Sequence, residues 1–212
     1  MKFYDFPAAP SPRKVGLFVA EKGLQVPTVT VDLRARAQLQ PQFLTKNPAG
    51  TVPVLELDDG SCLTESLAIC HYLEQLHPEP NLLGADAKEQ ALVLMWNDIQ
   101  TLEGYTAIQD VLRNTHAVFK DRAVPGPTPY EQIAALADRG RQQAEAFFDR
   151  LETRLGHSGF IASERFTYAD IVGFVYFGFA IRALASDPSA ARPNLKRWSE
   201  GIAARPAIKG AG

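Results

Sequence analysis

The chain has 212 residues, 46% of them hydrophobic and 22% charged, with a formal net charge of −2. That length can bury one large core or two small ones, and the balance is that of a soluble globular protein. The slight negative charge argues against nucleic acid or an anionic membrane as the main partner, and no apolar run approaches the ~20 residues of a membrane span. The N-terminus is broken by Asp5, Pro7, Pro10 and Pro12, which a secretory signal does not tolerate. Cys62 and Cys70 lack metal or redox spacing and read as reduced thiols of a cytoplasmic protein, with no metal site expected.

In chain order, residues 2–6 read as a short strand and residues 7–12 as a loop stiffened by proline. Ser11-Pro12 reads as an N-cap followed by proline at the first helical position. The helix it opens carries Val15, Leu17, Phe18 and Val19 and stops at Gly23. Residues 26–32 alternate like a strand, residues 34–40 form a polar loop, and residues 41–46 form a short helix ended by Asn47-Pro48-Ala49-Gly50. Residues 51–57 alternate again, and Asp58-Asp59-Gly60-Ser61 is hairpin chemistry leading into a second short strand. Thr64 then caps a helix bearing Leu67, Ile69, Leu73 and Leu76, with Glu65 and Ser66 in its first turn. Free N–H groups and the dipole make such a helix start attractive to an anion. Val52-Pro53, a bond that can be cis, leaves the backbone of Val52 available to a ligand.

His77-Pro78-Glu79-Pro80-Asn81 is the clearest linker. Beyond it strand signals nearly vanish. Residues 87–119 keep one helical periodicity through Met95, Trp96, Tyr105 and Val111. Thr128-Pro129-Tyr130-Glu131 reads as a capping box opening a helix to about residue 155. Thr167-Tyr168-Ala169-Asp170 is a second box, in which Asp170 is structural, and it opens an apolar helix over residues 171–184. A last helix covers residues 193–204. The four histidines are scattered without ligand spacing. The expected organisation is β-α-β-α-β-β-α over residues 1–77, a linker over 78–86 and an all-helical half over 87–212.

Four stretches of this layout are similar to the cytosolic glutathione S-transferases. They are Ser-Pro-Arg-Lys-Val at 11–15 with Glu21-Lys22-Gly23, the run from Asn47 to Leu55 around Val52-Pro53, Leu63 to Ile69 around Glu65-Ser66, and Phe166 to Ile171. The resemblance implies a thioredoxin-like, α/β N-terminal domain that binds glutathione and a helical C-terminal domain that contributes an electrophile pocket. It implies a homodimer and conjugation of glutathione to an apolar electrophile, as in detoxification. Carried over by position, Val52 beside a cis Pro53 would pair with the cysteinyl part of glutathione. Glu65 and Ser66 would hold the γ-glutamyl end, and Gln38 the glycyl carboxylate. On the long helix, Trp96, Asn97 and Tyr105 would be mostly core or dimer contacts, with one in the electrophile pocket.

A free thiol of pKa ~8.5 is mostly protonated at neutral pH, so conjugation needs a group that favours the thiolate. Serine-type relatives place their hydroxyl where this chain has Ala9, and tyrosine-type relatives place theirs one residue away from Tyr4. Ser11 is the remaining hydroxyl of the loop, either as activator, as helix cap, or as both. Two other functions stay open on the same scaffold: glutathione-dependent reduction of disulfides or peroxides, and a non-catalytic protein-interaction module.

Overall fold

The computed structural model describes residues 1–210. Strand β1 (Lys2–Asp5) pairs in parallel with β2 (Thr28–Thr30) and antiparallel with β3 (Val54–Glu56). β3 turns back antiparallel onto β4 (Cys62–Thr64), giving a four-stranded sheet in the order β2-β1-β3-β4. Gly60 takes a φ of +85 in that hairpin, where Asp59 Oδ1 accepts from the Ser61 N–H at 2.9 Å.

Alternation along the strands gives the sheet two apolar faces. Phe3 and Leu55 point to one face, where they meet Val15, Leu17 and Phe18 of α1 (Pro10–Glu21) and Ile69 and Leu73 of α3 (Ser66–Leu76). Tyr4 and Val54 point to the other, where they meet Val31, Val52 and Phe43 of the one-turn helix α2 (Pro41–Leu44). A 3-10 turn at Ala37–Leu39 precedes α2. This is the thioredoxin-like half.

The other half is helical: α4 (Ala87–Ile99), α5 (Thr106–Thr115), α6 (Ala134–His157), α7 (Tyr168–Leu184), α8 (Pro193–Ala203) and the short α9 (Pro206–Gly210). α7 is buried along most of its length and packs against α1. Its capping box forms as the sequence indicates. Asp170 accepts from the Thr167 N–H at 2.9 Å, the Ile161 N–H at 3.0 Å and the Trp198 indole at 3.0 Å, so a fully buried carboxyl is satisfied. Burial nonetheless pushes its pKa up, against those hydrogen bonds.

A buried ion pair fixes the segment between the halves. Lys22 Nζ lies 2.6 Å from Glu74 and also donates to the carbonyls of His77 and Pro80, while Glu74 Oε1 accepts from the Leu82 and Leu83 amides. No helix among the described residues is long and apolar enough to cross a membrane.

Several boundaries differ from those the sequence implies. The strands at 26–32 and 51–57 shrink to three residues each, because Pro27 and the Gly50-to-Pro53 turn take the flanks out of the ladder. α1 begins one step early: Ala9 is the N-cap, Pro10 the first helical residue and Ser11 the second, so Ser11 is not the cap. Glu65, not Thr64, precedes α3, and Thr64 stays in β4.

The long helix is broken into three. A π-helical turn at Gln100–Tyr105 separates α4 from α5, and the helix ends at Thr115 before a 3-10 turn at Ala117–Phe119. The box at Thr128 does not form. Tyr130 instead bridges to Arg122, closing a strap over residues 116–130, and α6 starts at Ala134. The expected helical half extends to residue 212, of which 211–212 lie outside the described residues.

Candidate functional site

A cavity of about 770 Å³ lies between the two halves. Its floor comes from the thioredoxin-like half: Ser11, Gln38, Val52, Pro53 and Glu65 line it. Its roof comes from Tyr105, Gln109 and Arg113 of the helical half and from the strap. Of the glutathione-site residues expected from the sequence, Ser66 alone is not on the wall. Trp96 and Asn97 are buried and do not line it, whereas Tyr105 does.

The Val52-Pro53 bond is cis. Neither the N–H nor the C=O of Val52 has a hydrogen-bond partner among the described residues, so both remain available to an extended ligand. Gly50, with a φ of +61, brings this segment against the 3-10 turn: a β-carbon there would lie 2.8 Å from Leu39 Cδ2. Gln38, on that turn, is only 7% exposed, yet its amide oxygen has no partner. An unpaired buried amide is costly and stays free to present either its oxygen or its NH2 to a ligand.

Glu65 sits at the entry to α3 with φ 65 and ψ 124, a region that side-chain-bearing residues rarely occupy. Its carboxylate is exposed at the cavity edge. No side chain caps α3, so its first amides, Ser66 among them, are open to an anion. The Ser66 hydroxyl donates to the Ser11 carbonyl at 2.8 Å, which ties the starts of α3 and α1 together. A donor to a ligand from this residue is therefore its N–H, while the hydroxyl oxygen can still accept.

The start of α1 has an unusual donor set. Pro10 and Pro12 have no N–H, and the amides of Ala9 and Arg13 bond to the Phe6 and Ala9 carbonyls. The one uncommitted amide of that turn is Ser11's own. Ser11 thus brings its N–H and its hydroxyl together to the positive end of the helix dipole, facing the cavity.

Beside it stands Tyr105, whose ring stacks on Tyr176 with centroids 5.0 Å apart. Burial raises the Tyr105 hydroxyl to about 12, so it stays protonated and able to donate at physiological pH. Tyr105 closes the π turn, and Gly104 before it lets the backbone approach Phe147: a β-carbon there would lie 2.6 Å from the ring. Three arginines, Arg34, Arg113 and Arg122, also line the cavity; nothing in the sequence pattern marked them, because their positions meet only in the fold. Neither cysteine reaches it: Cys70 is buried in the core, where burial pushes its thiol up, and Cys62 lies in β4.

A thioredoxin-like domain clasped to a helical domain over such a cleft defines the glutathione S-transferase fold. The model of the glutathione S-transferase N-terminal domain matches residues 3–81, and that of the C-terminal domain matches residues 134–201. Glutathione S-transferase 2 of Saccharomyces cerevisiae is 31% identical over 214 residues, covering 99% of this chain and 88% of the yeast protein. The crystal structure of Gtt2 from the same yeast superposes with a TM-score of 0.90 at 30% identity over all of both chains. A glutathione S-transferase from Methylobacillus flagellatus KT, solved with GSH bound, superposes with a TM-score of 0.82 at 25% identity, covering 100% of this chain and 98% of that one. The chain belongs to the glutathione S-transferase family.

Proposed function

We propose that the protein binds glutathione along the floor of the cavity and transfers its sulfur to an electrophile seated under the roof. The γ-glutamyl ammonium is held by the Glu65 carboxylate and its carboxylate by the open amides at the start of α3. The backbone of Val52 pairs with the cysteinyl unit, and Gln38 with the glycyl end. A relative with GSH bound at this level of likeness supports the ligand. The exposed side chains of Leu76, Leu94, Met95 and Leu102, the last 71% accessible, favour assembly as a homodimer.

One observation carries the reaction: Ser11 joins the only free amide of the α1 start with a hydroxyl at the same point of the cavity wall. Two donors at a helix N-terminus lower a thiol pKa and make the thiolate the resting form. The thiolate then attacks the electrophile, forming the sulfur–carbon bond as the leaving group departs with its electron pair. Turnover of an aryl halide and of a low-molecular-weight disulfide by wild type and Ser11→Ala tests this. Ser11→Ala is expected to lower aryl halide turnover by roughly tenfold or more, the weight of one hydrogen bond to a charged group. Turnover of the disulfide alone, or no effect of the substitution, contradicts it.

A further inference from the structure

Beyond the glutathione floor, the cavity continues between α5 and the strap. Tyr105, Gln109, Leu112 and Arg113 recur at helical spacing, so one face of this stretch turns into it. Opposite, the strap presents Phe119 and Arg122. Arg113 is half-buried. Its Nη1 donates to the Arg122 carbonyl at 2.6 Å, and its guanidinium lies 4.6 Å from the centre of the Phe119 ring. These contacts hold the head group in place and leave its remaining N–H groups for another partner.

No carboxylate among the described residues forms an ion pair with Arg113 or Arg122. The single acidic residue on the described cavity wall is Glu65, at the start of α3. Burial holds Arg113 below the usual arginine value, and the neighbouring Arg122 charge adds to that, with Tyr105 opposing. Two like charges side by side on one wall, without a carboxylate between them, are a cost to the free protein that an anion would relieve.

We propose that the electrophile this protein accepts is amphipathic: an apolar or aromatic body beside Tyr105, Leu112 and Phe119, with a carboxylate held by Arg113 and Arg122. The proposal rests on the conjugation reading above and names the substrate class for the same cavity. Planar guanidinium groups suit a carboxylate because they can donate two parallel hydrogen bonds to it.

The test compares 4-chloro-3-nitrobenzoate with 4-chloro-3-nitrobenzamide, which differ in charge at one end. In both, the glutathione sulfur bonds to the ring carbon that bears chlorine, and chloride leaves with the electron pair. Each kcat/KM is divided by the uncatalysed rate with glutathione, which removes the difference in intrinsic reactivity. Wild type is expected to favour the carboxylate by at least about tenfold. Arg113→Gln and Arg122→Gln should each cut that preference severalfold or more, through KM for the carboxylate. Arg122→Gln keeps the backbone carbonyl that Arg113 uses, so it leaves the strap anchored. A wild-type preference for the amide overturns this proposal alone. So does a preference that survives both substitutions while KM for glutathione rises, since the guanidinium groups would then be holding glutathione's own carboxylate. Absence of turnover of both compounds removes the conjugation reading, and this proposal with it.

Discussion

Glu65 is held in an unfavourable backbone state at the edge of the cavity. Its φ of 65 strains any residue with a β-carbon, at a cost of about 1–3 kcal/mol, and its exposed side chain makes no cap on α3. Glycine at this position relieves the strain, while its greater freedom in the unfolded chain takes part of the gain back. Glu65→Gly should therefore leave stability unchanged or raise it by up to about 1 kcal/mol in chemical denaturation. The same variant should weaken glutathione binding severalfold or more in calorimetric titration, through loss of the carboxylate that meets the ammonium. Lower stability together with unaltered binding would show that Glu65 is only a helix entry. The role proposed for Ser11 comes from its neighbours: the two flanking prolines lack the amides that would otherwise share the dipole with it.

At the scale of elements, the segment between the halves is fastened twice. Lys22 and Glu74 tie α1, α3 and the linker in the core, and near the surface Arg165 joins Glu89 of α4 at 2.6 Å and Asn81. Burial alone would push the Glu89 carboxyl up, but hydrogen bonds from Arg165 and the Ala85 N–H outweigh it and hold the pKa at about 2. A carboxyl lowered on folding adds stability that is complete above its unfolded value of 4.5 and is lost as pH falls through 4.5 toward 2. Urea midpoints measured across that window should fall more steeply with acid for wild type than for Glu89→Gln. Parallel curves would show that the pair contributes nothing.

The elements also show how far the sequence could be read. The cis-proline turn, the Thr167 capping box and the Gly60 hairpin are legible because each depends on local chemistry that few other residues supply. The start of α1 is not. Proline is tolerated through a first helical turn, so Pro10 and Pro12 fit either register, and packing chose the one in which Ser11 is helical. The π turn at Gln100–Tyr105 is hidden because one extra residue scarcely disturbs an apolar periodicity. The motif at Thr128 has the right letters, but Tyr130 pairs across the strap with Arg122 instead. Arg113 and Arg122 belong to a helix and a strap whose meeting no local pattern encodes.

For the whole molecule, the division of labour follows the two halves. The thioredoxin-like half brings an open backbone at Val52, an unpaired amide oxygen at Gln38, and uncapped α3 amides beside a carboxylate, the groups proposed to hold glutathione. The helical half supplies aromatic walls and cations. Ser11 stands on the cavity wall where the two meet, with its carbonyl bound by Ser66. The proposed reaction depends on the ionisation of glutathione at that point. Titrating the ultraviolet thiolate absorbance of the glutathione complex against pH measures it directly. Wild type should give a thiol pKa at least one unit below the free value of ~8.5, and Ser11→Ala should move it back toward that value. A bound thiol that titrates near 8.5 in both proteins would contradict the account.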